Sequence, residues 1–274
     1  MTPNAALLSG VVASDTRDEA GTGAEPAAPG PRSAPGSRVA RGRSPLLWAS
    51  LQRVLRELGG STAPRILDCG GGSGSLAVPL AVQGARVTVV DVSIDALSTL
   101  LRRATEAGVP DRVTAVQGEA ESLGELVVGG AFDLVLAHEV LEDLLSPAIA
   151  IRQIAAVLRP GGVVSVVVAN PVAAVLGRVL AGDVAGAQAA FSRPAHQAYD
   201  IAALSGHCEA AGLNVLSVQG LGVFTDLVPG IELERPGAIA ALSELETAVA
   251  DRPPYRDIAS RLHVQARRPA AVSA

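Results

Sequence analysis

Asp68, the glycines at positions 70–72 and Asp91 are the residues whose types and spacing imply chemistry most directly. The stretch Arg65-Ile66-Leu67-Asp68-Cys69-Gly70-Gly71-Gly72-Ser73-Gly74 reads as a short buried strand that breaks into a glycine turn. Glycine has no Cβ, so such a turn lets a ligand approach the backbone closely. Asp91 closes the next apolar run, Val87-Thr88-Val89-Val90. A carboxylate about 20 residues after the turn, at the tip of a second strand, suits a ribose diol. The position of Asp68 separates the nucleotide-like ligands. A carboxylate just before the glycines would repel a pyrophosphate, which a G-x-G-x-x-G turn and a helix N-terminus normally receive. It would favour a sulfonium and an ammonium. These residues therefore point to S-adenosylmethionine (SAM) rather than to a dinucleotide. A dinucleotide oxidoreductase is further disfavoured because the fingerprint and a hydride-transfer acid are both missing.

The remaining titratable and nucleophilic residues are sparse. His138 follows the apolar run Phe132–Ala137 and is the first candidate base if the acceptor is a hydroxyl or an amine. Packing against a cofactor is the alternative role for it. An acceptor that is already a carboxylate needs no base. An anionic acceptor needs a cation, and Arg43, Arg178 and Arg193 are available for it. Trp48 and Tyr199 are candidates to stack on a base or ring, with core or rim packing as the other reading. The four histidines and two cysteines, Cys69 and Cys208, lack metal-ligand spacing, so no metal site is expected.

These residues need a scaffold, and the 274-residue chain is long enough to bury a full core. Nearly half of it is apolar (49%), yet no run reaches the roughly 18–20 residues that span a bilayer. A secretory leader is not evident, and unpaired cysteines fit a reducing compartment, so a cytoplasmic location without membrane attachment is expected. Every basic residue is arginine, and the net charge of −5 argues against a broad nucleic-acid surface. Residues 1–40, rich in Ala, Gly, Pro and Ser, carry no sustained period and are expected to be a disordered tail before a domain over 41–274.

Within that domain the apolar spacing Leu46, Leu47, Leu51, Val54, Leu55, Leu58 predicts a helix from Pro45 to the Gly59-Gly60 stop. Strands are then expected at 65–69, 86–91, 112–117, 132–137, 163–168, 213–224 and 259–267. Helices are expected at 75–83, 94–107, near 120–128, at 147–158, 200–211 and 236–250. Ser93 is the expected N-cap of 94–107, and Pro147 opens the first turn of 147–158. Such alternation demands a mostly parallel, doubly wound sheet. Residues 171–198 break the rhythm and read as a helical insertion over the strand tips.

Phe132-Asp133-Leu134-Val135-Leu136-Ala137-His138-Glu139-Val140-Leu141-Glu142 and Leu158-Arg159-Pro160-Gly161-Gly162, with the glycine turn, resemble the class I SAM-dependent methyltransferases over about residues 43–268. A narrower resemblance rests on Arg43-Ser44-Pro45-Leu46-Leu47-Trp48, Asn170, Gly222-Val223-Phe224, Leu245-Glu246-Thr247 and Leu262-His263-Val264-Gln265-Ala266-Arg267-Arg268-Pro269. These stretches are similar to the bacterial tRNA 5-carboxymethoxyuridine methyltransferases, which methylate the carboxylate of a wobble uridine. The resemblance implies an α/β Rossmann-like fold with a seven-stranded sheet in order 3-2-1-4-5-7-6, strand seven antiparallel. It implies that Arg43 reaches the SAM carboxylate and that Gly70 and Gly71 line the methionine part; Asp68 and Gly72 are expected beside them as cofactor-binding residues of the turn. Asp91 would hold the ribose, Ala120 and Glu121 would flank the adenine, and His138 would complete the pocket. Trp48, Asn170, Arg178, Arg193 and Tyr199 are the expected acceptor-side residues. The insertion departs from the resemblance: where family members carry a basic run, this chain reads Gln188-Ala189-Ala190-Phe191-Ser192-Arg193-Pro194-Ala195-His196. The expected functions are therefore methylation of tRNA, methylation of a small carboxylic or hydroxylated molecule, or SAM binding without turnover.

Overall fold

The computed structural model describes residues 44–58, 63–192, 199–228 and 230–270. The expected tail, Arg43 and Arg193 lie outside the described residues. Helix α1 (Pro45–Glu57) leads into β1 (Arg65–Cys69), α2 (Ala77–Val82), β2 (Arg86–Asp91), α3 (Ile94–Glu106) and β3 (Val113–Gln117). Then come α4 (Leu123–Leu126), β4 (Phe132–His138), α5 (Pro147–Val157) and β5 (Leu158–Ala169). The insertion forms α6 (Pro171–Leu180) and α7 (Val184–Phe191). Helix α8 (Ile201–Ala210), β6 (Asn214–Leu221), α9 (Gly230–Leu233), α10 (Ala238–Val249) and β7 (Arg261–Arg267) follow.

The strands hydrogen-bond in the order β3-β2-β1-β4-β5-β7-β6, with β7 antiparallel to both its neighbours. The order reverses between β1 and β4, and such a switch point opens a crevice at the carboxyl ends of the strands. The central strands are apolar on both faces because both faces are covered. Ile66, Leu134 and Leu136 pack into one cluster with α1, α2 and α3. Their neighbours Leu67, Val135 and Ala137 pack into the other, with α4, α5 and α8.

Local chemistry explains the boundaries. Ser93 caps α3 by accepting from the Ala96 amide at 3.2 Å. Asp133, the one acid in β4, accepts from the Arg65 amide at 2.8 Å and from Arg159 Nε at 2.6 Å. The Arg159-Pro160-Gly161-Gly162 segment stops α5 as expected. It is counted within β5, where the pairing skips from Phe132↔Leu158 to Leu134↔Val163. Arg268 Nη1 donates to the carbonyls of Ala155, Ala156 and Leu158 at 3.0, 3.1 and 2.5 Å, satisfying the end of α5 where the helix dipole is negative. Strand β6 ends at Leu221, three residues earlier than the sequence implies. There the amides of Val223, Phe224 and Thr225 turn to the Glu246 carboxylate, at 2.9, 2.8 and 2.8 Å, instead of to a neighbouring strand.

Candidate active site

The glycine turn closes on the tip of β1. The Gly70 amide donates to the Val90 carbonyl at 2.8 Å, tying the turn to β2. Asp68 lies beneath it, only 3% exposed. A Cβ placed on Gly71 would meet the Asp68 carboxyl at 2.5 Å, so the turn presses directly on this side chain and only glycine fits. Burial, and then the neighbouring charge of Asp91, push the Asp68 carboxyl up to about 7. A cation placed over this turn would relieve both effects.

Asp91 joins the turn to the tip of β2. Its Oδ2 accepts from the Gly72 amide at 2.8 Å and its Oδ1 from the Ser93 amide at 2.9 Å. Gly72 meets it with φ +53°, a conformation that favours glycine. A carboxylate has about four acceptor directions, so two oxygens fixed by backbone still have room for a diol. At the next tip, the Gly118 amide donates to the Asp91 carbonyl at 3.2 Å, and buried Ala120 with half-buried Glu121 forms a short 3₁₀ turn. Thus Asp68, Gly70–Gly72, Asp91, Ala120 and Glu121 are drawn along the ends of β1, β2 and β3.

His138 ends β4 on the other side of the switch point. Its Nε2 is 2.9 Å from Ser165 Oγ, and Ser165 Oγ is 2.8 Å from His263 Nε2. Its Nδ1 is buried without a partner among the described residues. Burial, then His263 and the Arg261 charge, lower His138 to about 3, so the ring is neutral at pH 7. Both nitrogens are turned into the protein. This arrangement makes His138 a poor proton acceptor for a group in the cleft, whatever the ring packs against. The next residue, Glu139, has φ +54°, a left-handed backbone uncommon outside glycine. Its amide donates to the Val167 carbonyl at 2.7 Å, and its carboxylate pairs with Arg261 Nη1 at 3.4 Å. Glu142 accepts from the Ala169 amide at 2.5 Å, and burial raises its carboxyl above the usual range.

Of the acceptor-side residues expected from the sequence, Trp48, Asn170, Arg178 and Tyr199 are among the described residues, and each contacts other parts of the protein. Asn170 is buried, with Nδ2 donating to the Asp257 and Ala259 carbonyls at 2.9 and 2.8 Å and Oδ1 accepting from Val172 at 3.0 Å. It clamps the start of α6 to the segment before β7 and has no donor left for an acceptor. Tyr199 is 3% exposed, its hydroxyl 3.4 Å from the Leu141 carbonyl and its ring edge-on to His207, so it packs in the core rather than offering a stacking face. Trp48 is half-buried on α1 against the core. Arg178 pairs with Asp183 at 2.8 Å on the surface of the insertion. Both cysteines are buried, and burial pushes Cys208 up to about 11 and Cys69 further. No metal-binding group of three or more His, Cys, Asp or Glu occurs among the described residues. Nor is any helix among them long and apolar enough to cross a membrane.

Sequence reasoning missed Ser165, His263, Arg261 and the anchoring role of Glu246. The signal was the alternation Arg261, His263, Gln265, Arg267 along β7: every second residue is polar, yet His263 and Gln265 are buried. A polar stripe on an interior strand marks a buried network rather than a wet face.

A sheet of this order, with a glycine turn and an acid at the first two strand tips, is the class I methyltransferase architecture. The chain belongs to the methyltransferase family, whose methyltransferase-domain model matches residues 40–218. It is 30% identical to the tRNA 5-carboxymethoxyuridine methyltransferase of Escherichia coli K12, over 83% of this chain and 88% of that protein. It is also 33% identical to a ubiquinone biosynthesis O-methyltransferase of Paracidovorax citrulli, over 57% of this chain and 66% of the relative. Among solved structures, magnesium protoporphyrin IX methyltransferase of Synechocystis PCC 6803 superposes with a TM-score of 0.57 at 15% identity, covering 88% of this chain and 90% of that one.

Proposed function

We propose that this protein methylates the carboxylate of a 5-carboxymethoxyuridine at the wobble position of tRNA, using SAM. The observation that carries this reading is the reach of the similarity. It extends over 88% of the Escherichia coli enzyme and so includes the acceptor side as well as the cofactor half. The glycine turn, with Asp68 buried beneath it and raised by the Asp91 charge, fits a sulfonium and an ammonium. When bound, SAM supplies an electrophilic methyl on a cationic sulfur. Asp91 would hold its ribose, Gly70–Gly72 its methionine part and Ala120–Glu121 its adenine, with Arg43 at its carboxylate. The domain is taken as residues 41–274.

The chain's own residues then have to position and desolvate the acceptor. A carboxylate is a nucleophile at neutral pH and carries no proton to remove. That agrees with a strand tip at which both His138 nitrogens face inward. The acceptor oxygen bonds to the methyl carbon as the carbon–sulfur bond breaks, and the electron pair leaves on sulfur.

A small-molecule O-methyltransferase is the second reading. The insertion favours it: Leu180, Val184 and Phe191 are exposed, and the Arg178 charge is answered by Asp183. Methyl transfer from SAM to tRNA bearing 5-carboxymethoxyuridine, measured across a salt series, decides between them. Transfer that falls steeply with salt is expected for tRNA, because phosphate contacts release counterions. No transfer at low salt, from protein that binds SAM, rejects the tRNA reading.

A further inference from the structure

We propose that four arginines at the amino ends of the strands, Arg56, Arg65, Arg86 and Arg112, receive the sugar–phosphate backbone of the tRNA; this rests on the tRNA reading above. A chain that binds tRNA has to set cations against phosphates. The described charges of the insertion, Arg178 and Asp183, answer each other. A group of unanswered cations lies instead at the far ends of the strands from the cleft. Arg65 opens β1 and Arg86 opens β2, and the two are partners in the parallel register. The pairing of Val87 with Val113 sets Arg112, the residue before β3, beside Arg86. The loop between α2 and β2 joins the group. Arg112 Nη1 would stand 3.3 Å from a Cβ on Gly84. Gln52 of α1 donates to Gln83, and Arg56 lies one turn further along that side of α1, so it ends beside the same loop.

All four arginines are exposed, and none has an ion-pair partner among the described residues. Arg65 lies over the Phe132 ring at 5.6 Å, a contact that uses no N–H donor. Two nearby acids are already engaged, Glu57 with Arg267 and Asp133 with Arg159. Asp111 adds one negative charge next to Arg112, and the carboxyl ends of α1, α2 and α3 add roughly half a charge each. Four cations exceed this, and like charges on neighbouring strands repel. In a chain of net charge −5, that local excess is a cost which a bound polyanion removes. Phosphate suits the face more than a protein surface does. Protein interfaces are built around an apolar, aromatic centre, whereas here the centre is the guanidinium groups and the neighbouring Phe132 is buried. Val82, exposed at the end of α2, is too small to anchor a protein partner. Guanidinium forks match phosphate oxygens and position a nucleic acid without reading its bases. Strand β2 carries Arg86 at one end and Asp91 at the other, roughly 17 Å apart for six residues. A tRNA is several times longer than that. Strand β3 is an edge of the sheet, so the backbone has a path along it from the cleft to the far ends.

The test uses the full chain and tRNA bearing 5-carboxymethoxyuridine. Binding is measured across a salt series, with methyl transfer from SAM measured beside it. Each phosphate contact contributes about 0.7–0.9 to the slope of log affinity against log salt. Arg65→Gln/Arg86→Gln/Arg112→Gln should lower that slope by about two to three and weaken binding about ten- to a hundredfold at low salt. KM for the tRNA should rise with it, while SAM affinity stays within about twofold of wild type because the sites are far apart. Arg152→Gln/Arg235→Gln/Arg252→Gln removes the same charge from exposed arginines elsewhere and should keep the wild-type slope. Equal losses in the two triple variants would reduce the effect to overall charge and overturn the proposal. A wild-type slope in the first triple variant would also overturn it and leave this face to an acidic protein. Arg86→Gln alone covers the case in which that triple variant does not fold: its slope should fall by about one, and an unchanged slope counts against the assignment. Wild-type protein whose tRNA binding depends on the cluster but which transfers no methyl supports the docking and removes the methylation reading. Wild-type protein that binds SAM but no tRNA at low salt overturns both.

Discussion

Replacing Asp68 by Asn should stabilise the protein without ligand and weaken its hold on SAM, and both effects should depend on pH. The carboxyl is lifted from 3.8 to about 7 by burial and by Asp91. An acid with a raised folded pKa costs nothing below its unfolded pKa and its full penalty above the folded one. The ligand-free protein should therefore lose stability as pH climbs from about 4 through 7, by on the order of 4 kcal/mol at pH 8. Asn has the same shape and no charge, so it should recover a large part of that penalty at pH 8 and none at pH 3.5. Binding runs the other way. A carboxyl with this pKa is about nine-tenths protonated at pH 6 and about one-tenth at pH 8. If a cation binds best over the charged form, SAM affinity should rise about tenfold between those values, or ~1.4 kcal/mol. Calorimetric titration of SAM at several pH values, with urea unfolding at the same pH, reads both. The Asp68→Asn variant serves as the reference that removes titration of the ligand itself. Equal pH dependence of binding in wild type and variant, or a variant less stable than wild type at pH 8, would refute the reasoning.

Two further outcomes follow from the bonds around the cleft. Asp91→Ala should weaken SAM binding by about 1.5–3 kcal/mol, through loss of charge-assisted bonds to the ribose and of the anchor on the Gly72 amide; unchanged calorimetric affinity in the folded variant would count against the ribose assignment. Glu246→Ala strips the acceptor from three backbone amides and the Thr225 hydroxyl, so chemical denaturation should show a loss of about 3 kcal/mol; a loss below about 1 kcal/mol would mean that these amides find other partners.

The sequence by itself determined the alternation of strands and helices, the glycine turn and the acid at the end of β2. Those features are local: an apolar run, a residue without Cβ, and a carboxylate at fixed spacing impose the same geometry in nearly any context. It could not decide which of the expected acceptor-side residues stay available, because their contacts come from segments far apart in the chain. Asn170 looks like a free polar residue after a strand, but folding commits its amide to carbonyls at positions 257 and 259. Tyr199 looks like a stacking ring until α8 and the segment around Leu141 close over it. His138 reads as a base in one dimension, yet Ser165 and His263 draw it inward. Arg261 carries no motif at all, and only the antiparallel pairing of β7 brings it to the end of β4. Burial and hydrogen-bond satisfaction decide which polar side chains remain available, and these depend on contacts between residues up to about a hundred positions apart, as between Ser165 and His263.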